Sequence, residues 1–185
     1  MRINLLAKRY AQAVFDLALE MKVEGKVEKD MHLVGQVLQD HREFKKILKN
    51  PVVDDHKKVK LLNAVFGGHI QELTQKFFAL IVKKDREMYL ELICEAYIDI
   101  YQKYNNILPL ELTTAFKADK KTRDTIVEKV AKATKMEIEL HETVDEDIIG
   151  GFVINYEDYQ FDASIKTQLK ELQNEFSKNL YIKKL

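Results

Sequence analysis

The chain has no tryptophan, one cysteine, two prolines and six glycines in 185 residues. A lone cysteine, Cys94, cannot close an internal disulfide, so the fold is not a small scaffold stapled by cross-links, and it suits a reducing compartment. So few prolines and glycines leave long stretches free to form uninterrupted regular structure. Net charge is also missing, because 30 lysines and arginines balance 30 aspartates and glutamates. No field of one sign is available to gather nucleic acid or an acidic surface. No run approaches the ~18 to 20 consecutive apolar residues that span a bilayer, so any attachment to a membrane runs through partners. Met1 to Phe15 passes directly into an amphipathic repeat without a small-residue cleavage pattern, which reads as the first helix of the fold and not as a signal peptide.

Catalytic equipment is absent as well. There is no Gly-rich phosphate loop, no Gly-x-Ser-x-Gly turn and no Cys-x-x-Cys, and the histidines at 32, 41, 56, 69 and 141 lack metal-ligand spacing. Glu142 with Asp145, Glu146 and Asp147 is the tightest acidic group. It lacks the pattern of a calcium loop and reads as a solvated connection between strands. The basic runs Lys117, Lys120, Lys121, Arg123 and Lys83, Lys84, Arg86 alternate with Asp119, Asp124, Asp85 and Glu87, which dilutes the field a nucleic acid would feel. Tyr97, Tyr101 and Tyr104 stand at helical spacing with no basic patch between them, so they read as packing residues. The sequence therefore predicts no catalytic residue, no metal, no cofactor and no nucleic-acid partner.

What the chain does have is helical periodicity through its first hundred residues. Leu6, Tyr10, Ala13, Val14, Leu17 and Met21 mark one face of a first helix that ends near Gly25. A second helix carries Val27, Met31, Val34, Val37 and Leu38, and a short third, with Phe44, Ile47 and Leu48, stops at Asn50-Pro51. Asp54 or Asp55 opens a fourth through Val59, Leu62 and Phe66, released at Gly67-Gly68. A fifth runs to about Lys83, and a sixth carries Tyr89, Ile93, Ala96, Tyr97, Ile100 and Tyr104. Two of these helices have more apolar surface than one stripe requires. Helix five adds Ile70, Phe78 and Val82 to the stripe Leu73, Phe77, Leu80 and Ile81. Helix one adds Ala7, Ala11 and Phe15, small residues with one aromatic that let another helix approach closely. Together they predict a groove for an amphipathic partner helix.

Asn105-Asn106 breaks the helical pattern, and Ile107 to Thr114 begins an extended one. Asp119 opens a helix with Ile126, Val127, Val130 and Ala133, and Met136 to Leu140 alternates as a half-buried strand does. Then come Ile148-Ile149-Gly150-Gly151-Phe152-Val153-Ile154-Asn155-Tyr156, with the glycine pair at the start of a strand, where it serves backbone strain or close approach. Tyr156 to Tyr159 is the expected hairpin. Asp162 and Ser164 can accept hydrogen bonds from the first N–H groups of a last helix bearing Ile165, Leu169, Leu172 and Phe176. The fold class is α+β: a six-helix bundle over residues 1–105, then a small mixed strand and helix domain over 106–185.

The order Ile149-Gly150-Gly151-Phe152-Val153, then Asp162-x-Ser164 opening a helix with Leu169 and Leu172, resembles the C-terminal signature of the delta subunits of rotary ATP synthases. In mitochondria this family is called the oligomycin-sensitivity-conferring protein. Arg9 to Phe15, Asn50-Pro51 with Lys58 and Leu61-Leu62, Phe77 to Leu80 with Arg86, and Thr113-Thr114-Ala115 match in the same order. The pattern departs at Asp145-Glu146-Asp147, where a proline is common, and at Asn155, where a basic residue is frequent.

The resemblance implies a non-catalytic stator subunit of the proton-translocating enzyme, held at the cytoplasmic face of a bacterial plasma membrane through other subunits. The first domain would receive the N-terminal helix of an alpha subunit between its first and fifth helices, at Tyr10, Ala11, Val14, Phe15, Phe77, Leu80, Ile81 and Lys84. The second would hold the C-terminal end of the b subunit, with Gly150, Gly151, Phe152, Asp162 and Ser164 as its structural motif. A helical RNA-binding regulator of the antitermination type is the alternative, and a continuous basic face is its discriminator. A third reading, an enzyme built on the acidic loop, would need metal-dependent turnover.

Overall fold

Apolar residues at three- and four-residue steps can reach a common core only if the backbone coils at 3.6 residues per turn, and the first hundred residues do so. In the computed structural model, which describes residues 2–117, 119–156 and 159–177, they form α1 (Arg2–Glu20), α2 (Glu24–Asp40), α3 (Arg42–Lys49), α4 (Asp55–Phe66), α5 (Glu72–Lys83) and α6 (Leu90–Tyr104). A 3-10 turn, Glu87–Tyr89, leads into α6. The chain divides into two compact units, Met1–Asn105 and Asn106–Leu185.

The core of the first unit gathers around Tyr97, which is fully buried and donates its hydroxyl to the Glu24 carbonyl at 3.0 Å. Phe15 meets its ring edge-on at 5.7 Å between centroids. Burial pushes the Tyr97 phenol and the Cys94 thiol upward from their ordinary ranges, so Cys94 is a packed, unreactive thiol. Gly25 does not end the first helix as expected. The break comes earlier, at Lys22 with φ 55°, and Gly25 sits in the first turn of α2, where an added Cβ would stand 3.1 Å from the Tyr101 hydroxyl.

Polar groups tie the helices where apolar packing alone gives no direction. Asp30 of α2 is buried, and its carboxylate accepts from the Gln71 N–H at 2.8 Å and the Thr74 hydroxyl at 2.6 Å. A residue 41 positions away in sequence thus caps α5. Lys58 of α4 and Glu87 of the 3-10 turn form an ion pair, both side chains almost wholly buried.

The second unit is a four-stranded mixed sheet in the order β2-β1-β3-β4. Its strands are β1 (Ile107–Thr114), β2 (Glu137–Val144), β3 (Phe152–Tyr156) and β4 (Tyr159–Asp162), with helices α7 (Lys120–Thr134) and α8 (Ile165–Ser177). β1 pairs with β2 in parallel, joined through α7, and with β3 antiparallel. Asp119 caps α7 by accepting from the Thr122 N–H. Pro109 falls outside the β1–β3 ladder, which begins at Glu111, so its missing N–H is tolerated. Leu110 and Leu112 of β1, fully buried, form the core with Ile126 of α7 and Ile154 of β3. Glu142, read from the sequence as part of a loop, lies in β2 and pairs with Arg123 at 3.1 Å. Glu157 and Asp158, the expected hairpin turn, lie outside the described residues.

Candidate interaction surfaces

The small-residue stripe of α1 is the one that faces the core. Ala7, Ala11, Val14, Phe15 and Ala18 are buried in the bundle core, while Leu5, Leu17 and Met21 are exposed and Tyr10 is half-buried. The small residues do let another helix come close, but that helix is α6 of the same chain, which brings Tyr97 and Tyr104 onto Phe15. In α5, residues of both stripes are buried, Phe77 and Ile81 on one and Phe78 and Val82 on the other, while Leu80 is exposed. Helix five is a central helix packed on α2 and α4. Of the eight residues named for a partner groove, Ala11, Val14, Phe15, Phe77 and Ile81 are therefore core residues. Leu80 and Lys84 are exposed, and Tyr10 is partly so. α1 packs chiefly on α6 and α5 chiefly on α4, so the two helices are not each other's principal neighbours. The apolar surface left uncovered on α1 runs through Leu6, Tyr10, Ala13 and Leu17, four residues on one helical face.

In the second unit the glycine pair forms a corner between β2 and β3. Gly151 has φ +76°, and an added Cβ would lie 2.2 Å from the Ala163 carbonyl oxygen, so no other residue fits without moving backbone. Gly150 has no positive φ, and its constraint is space: an added Cβ would meet the Ile165 side chain at 2.6 Å. The chain returns beside this corner, with the Ile165 N–H donating to the Gly150 carbonyl at 3.0 Å. Asp162 accepts from the Ser164 N–H at 2.8 Å and the Thr167 hydroxyl at 2.7 Å, and Ser164 accepts from the Thr167 N–H at 3.2 Å. These bonds to Ser164 and Thr167 hold the Asp162 carboxyl below its ordinary range. Asp162 and Ser164 thus fix where α8 starts, which is a structural role.

α8 leaves the corner with its apolar residues uncovered: Ile165, Leu169, Leu172 and Phe176 are all exposed. Their spacing of four, three and four is that of a coiled-coil seam. A second uncovered surface is a groove of about 570 Å³ between α7 and the β3–β4 side of the sheet, with Phe152, Ile154 and Phe161 among its lining residues. Neither glycine lines it. Among the described residues no cluster of three histidine, cysteine, aspartate or glutamate side chains is disposed to hold a metal ion, and no helix is long and apolar enough to cross a membrane.

No local pattern in the sequence marks two buried polar contacts, Asp30 with Thr74 and Lys58 with Glu87. Their partners lie 44 and 29 residues apart, beyond any local spacing rule.

A model of the ATP synthase delta (OSCP) subunit family matches residues 6–176. The ATP synthase subunit delta of Christiangramia forsetii is 32% identical over 185 residues, covering 100% of both chains. That of Cytophaga hutchinsonii is 33% identical over 181 residues, covering 97% of this chain and 98% of the relative. Among solved structures, a chain of the Toxoplasma gondii mitochondrial ATP synthase hexamer has the same fold, with a TM-score of 0.71 at 21% identity over 93% of this chain and 97% of that one. The match runs through both units, from the first turns of α1 to the end of α8, and the chain belongs to the ATP synthase delta (OSCP) subunit family.

Proposed function

We propose that this protein is a stator clamp of a proton-translocating ATP synthase, joining the catalytic head to the peripheral stalk so that the head does not turn with the rotor. The observation that carries the reading is the pair of compact units, each with its own uncovered apolar surface. A clamp under torque needs two separately satisfied interfaces, and joining them in one chain raises the effective concentration at each. The first unit takes the N-terminal helix of an alpha subunit and the second the C-terminal end of the b subunit. The work is mechanical, so the chain performs no reaction of its own and sits at the membrane's cytoplasmic face only through its partners.

The alpha-subunit surface is best sought on what α1 and α5 leave exposed: Tyr10 and Leu17 on one, Leu80 and Lys84 on the other. Burial of such apolar anchors dominates interface energy, and rim charges set register. The RNA-binding alternative has no support, since Arg123, in its densest basic run, is already paired with Glu142.

Titration of the full chain with an alpha N-terminal peptide tests the reading. Leu17→Glu and Leu80→Glu should each weaken binding by ~10-fold or more without lowering the melting temperature, because both side chains are exposed. Undiminished binding in both variants would place the alpha subunit elsewhere. No binding by the unaltered chain would defeat the reading.

A further inference from the structure

A β-sheet that is apolar on one face must cover that face, and strands ~4.8 Å apart set the width to be covered. Four strands at that spacing present about 19 Å of width, whereas one helix with its side chains is about 10 Å across. One helix therefore covers roughly half of such a sheet. In the second unit that helix is α7, whose Ile126 and Val130 pack over Leu110 and Leu112 and which lies beside β2. The β3–β4 half of the same face, Phe152 and Ile154 with Phe161 registered opposite Ile154, is left as the floor of the 570 Å³ groove. Phe161 is 58% exposed, unusual for a phenylalanine on the apolar side of a sheet. The opposite face is mostly polar, with Glu111, Glu137, Glu139 and Gln160 on it by strand alternation beside the buried Val153.

The uncovered strip is about one helix wide, and its wall states what a helix seated there should carry. Along α7 the side chains lining it include Lys121, Thr125 and Lys129, one turn apart, and among the described residues no acidic side chain lines it. α8 does not fill the slot. It begins beyond the sheet end, where Ile165 binds the Gly150 carbonyl, and none of its residues lines the groove.

We propose that this slot seats a helix of the stalk, one with an apolar ridge for Phe152, Ile154 and Phe161 and an acidic flank toward Lys121 and Lys129. The inference rests on the stalk-binding reading given above and assigns its surface and the charge of its partner. Burial of the ridge supplies the affinity, and the lysine wall selects an acidic flank and sets register. The uncovered seam of α8 is the competing surface on this unit.

The experiment is a calorimetric titration of the full chain with the C-terminal segment of the b subunit of the same synthase. Thr125→Trp plugs the slot from an exposed helix position, and the double change Lys121→Glu with Lys129→Glu reverses its wall. Unchanged circular-dichroism melts show that both variants stay folded. The slot predicts binding that weakens with added salt, a loss of ~10-fold or more in each variant, and no more than a twofold change for Leu169→Glu on α8. Binding that survives both slot variants but fails in Leu169→Glu overturns the slot and leaves the stalk reading standing on α8. No binding by the unaltered chain overturns both. A concentration-dependent dimer that Thr125→Trp abolishes would give the slot to a second copy of this chain and likewise overturn the assignment.

Discussion

Ile149 and Gly151, two residues apart, both hold positive φ angles, 67° and 76°. For glycine this costs little beyond entropy, but for a β-branched residue it is strained. Ile149 is 60% exposed, so little packing offsets the strain. Ile149→Gly is expected to stabilise the second unit by ~1 kcal/mol. Gly151→Ala should destabilise it by ~2 kcal/mol or more, because its Cβ would collide with the Ala163 carbonyl. Scanning calorimetry of the full chain checks both, and equal melting temperatures in the two variants would remove backbone strain as the reason for the glycine. The sequence shows that a glycine pair before an apolar run belongs to a strand start. It does not show which of the two carries the left-handed angle, because that depends on where Ala163 crosses, twelve residues on.

Among elements, α1 shows what periodicity can and cannot decide. Two apolar stripes are legible on it, and an amphipathic pattern alone does not say which points inward. Close approach decides it: Ala7, Ala11 and Ala18 let α6 pack tightly, whereas Leu17 and Met21 would hold it off. The buried pair of Lys58 and Glu87 was similarly illegible, since nothing local distinguishes these two from the rest of the thirty cations and thirty anions. Removing one partner strands the other charge in the core, so Glu87→Ala should cost ~3 kcal/mol or more. The double variant Lys58→Met with Glu87→Leu should recover most of that loss, as an apolar pair of similar volume needs no solvation. Thermal melts of the three proteins decide it. A double variant as unstable as Glu87→Ala would mean that the pair holds α4 by its charge after all.

In the whole molecule, the end of helical periodicity at Tyr104 and the division of the units at Asn105–Asn106 coincide. A fragment of residues 1–105 is expected to be strongly helical and to unfold cooperatively by circular dichroism; an aggregated or molten fragment would show that the first core depends on the rest of the chain. The strand order was not legible, because alternation marks a strand without naming its neighbours. That order bears on how the protein is born. β1 is synthesised first among the strands yet ends in the interior of the sheet, flanked by β2 and β3, so one of its edges waits unpaired until β3 has been made. The first unit closes on α6, the chief neighbour of α1 and α2, which is complete at Tyr104 before any strand is made. At ~5 to 20 residues per second, several seconds separate a finished bundle from a finished sheet. During synthesis the surface proposed for the head therefore matures before the one proposed for the stalk exists, and the nascent chain acquires its two proposed grips in a fixed temporal order.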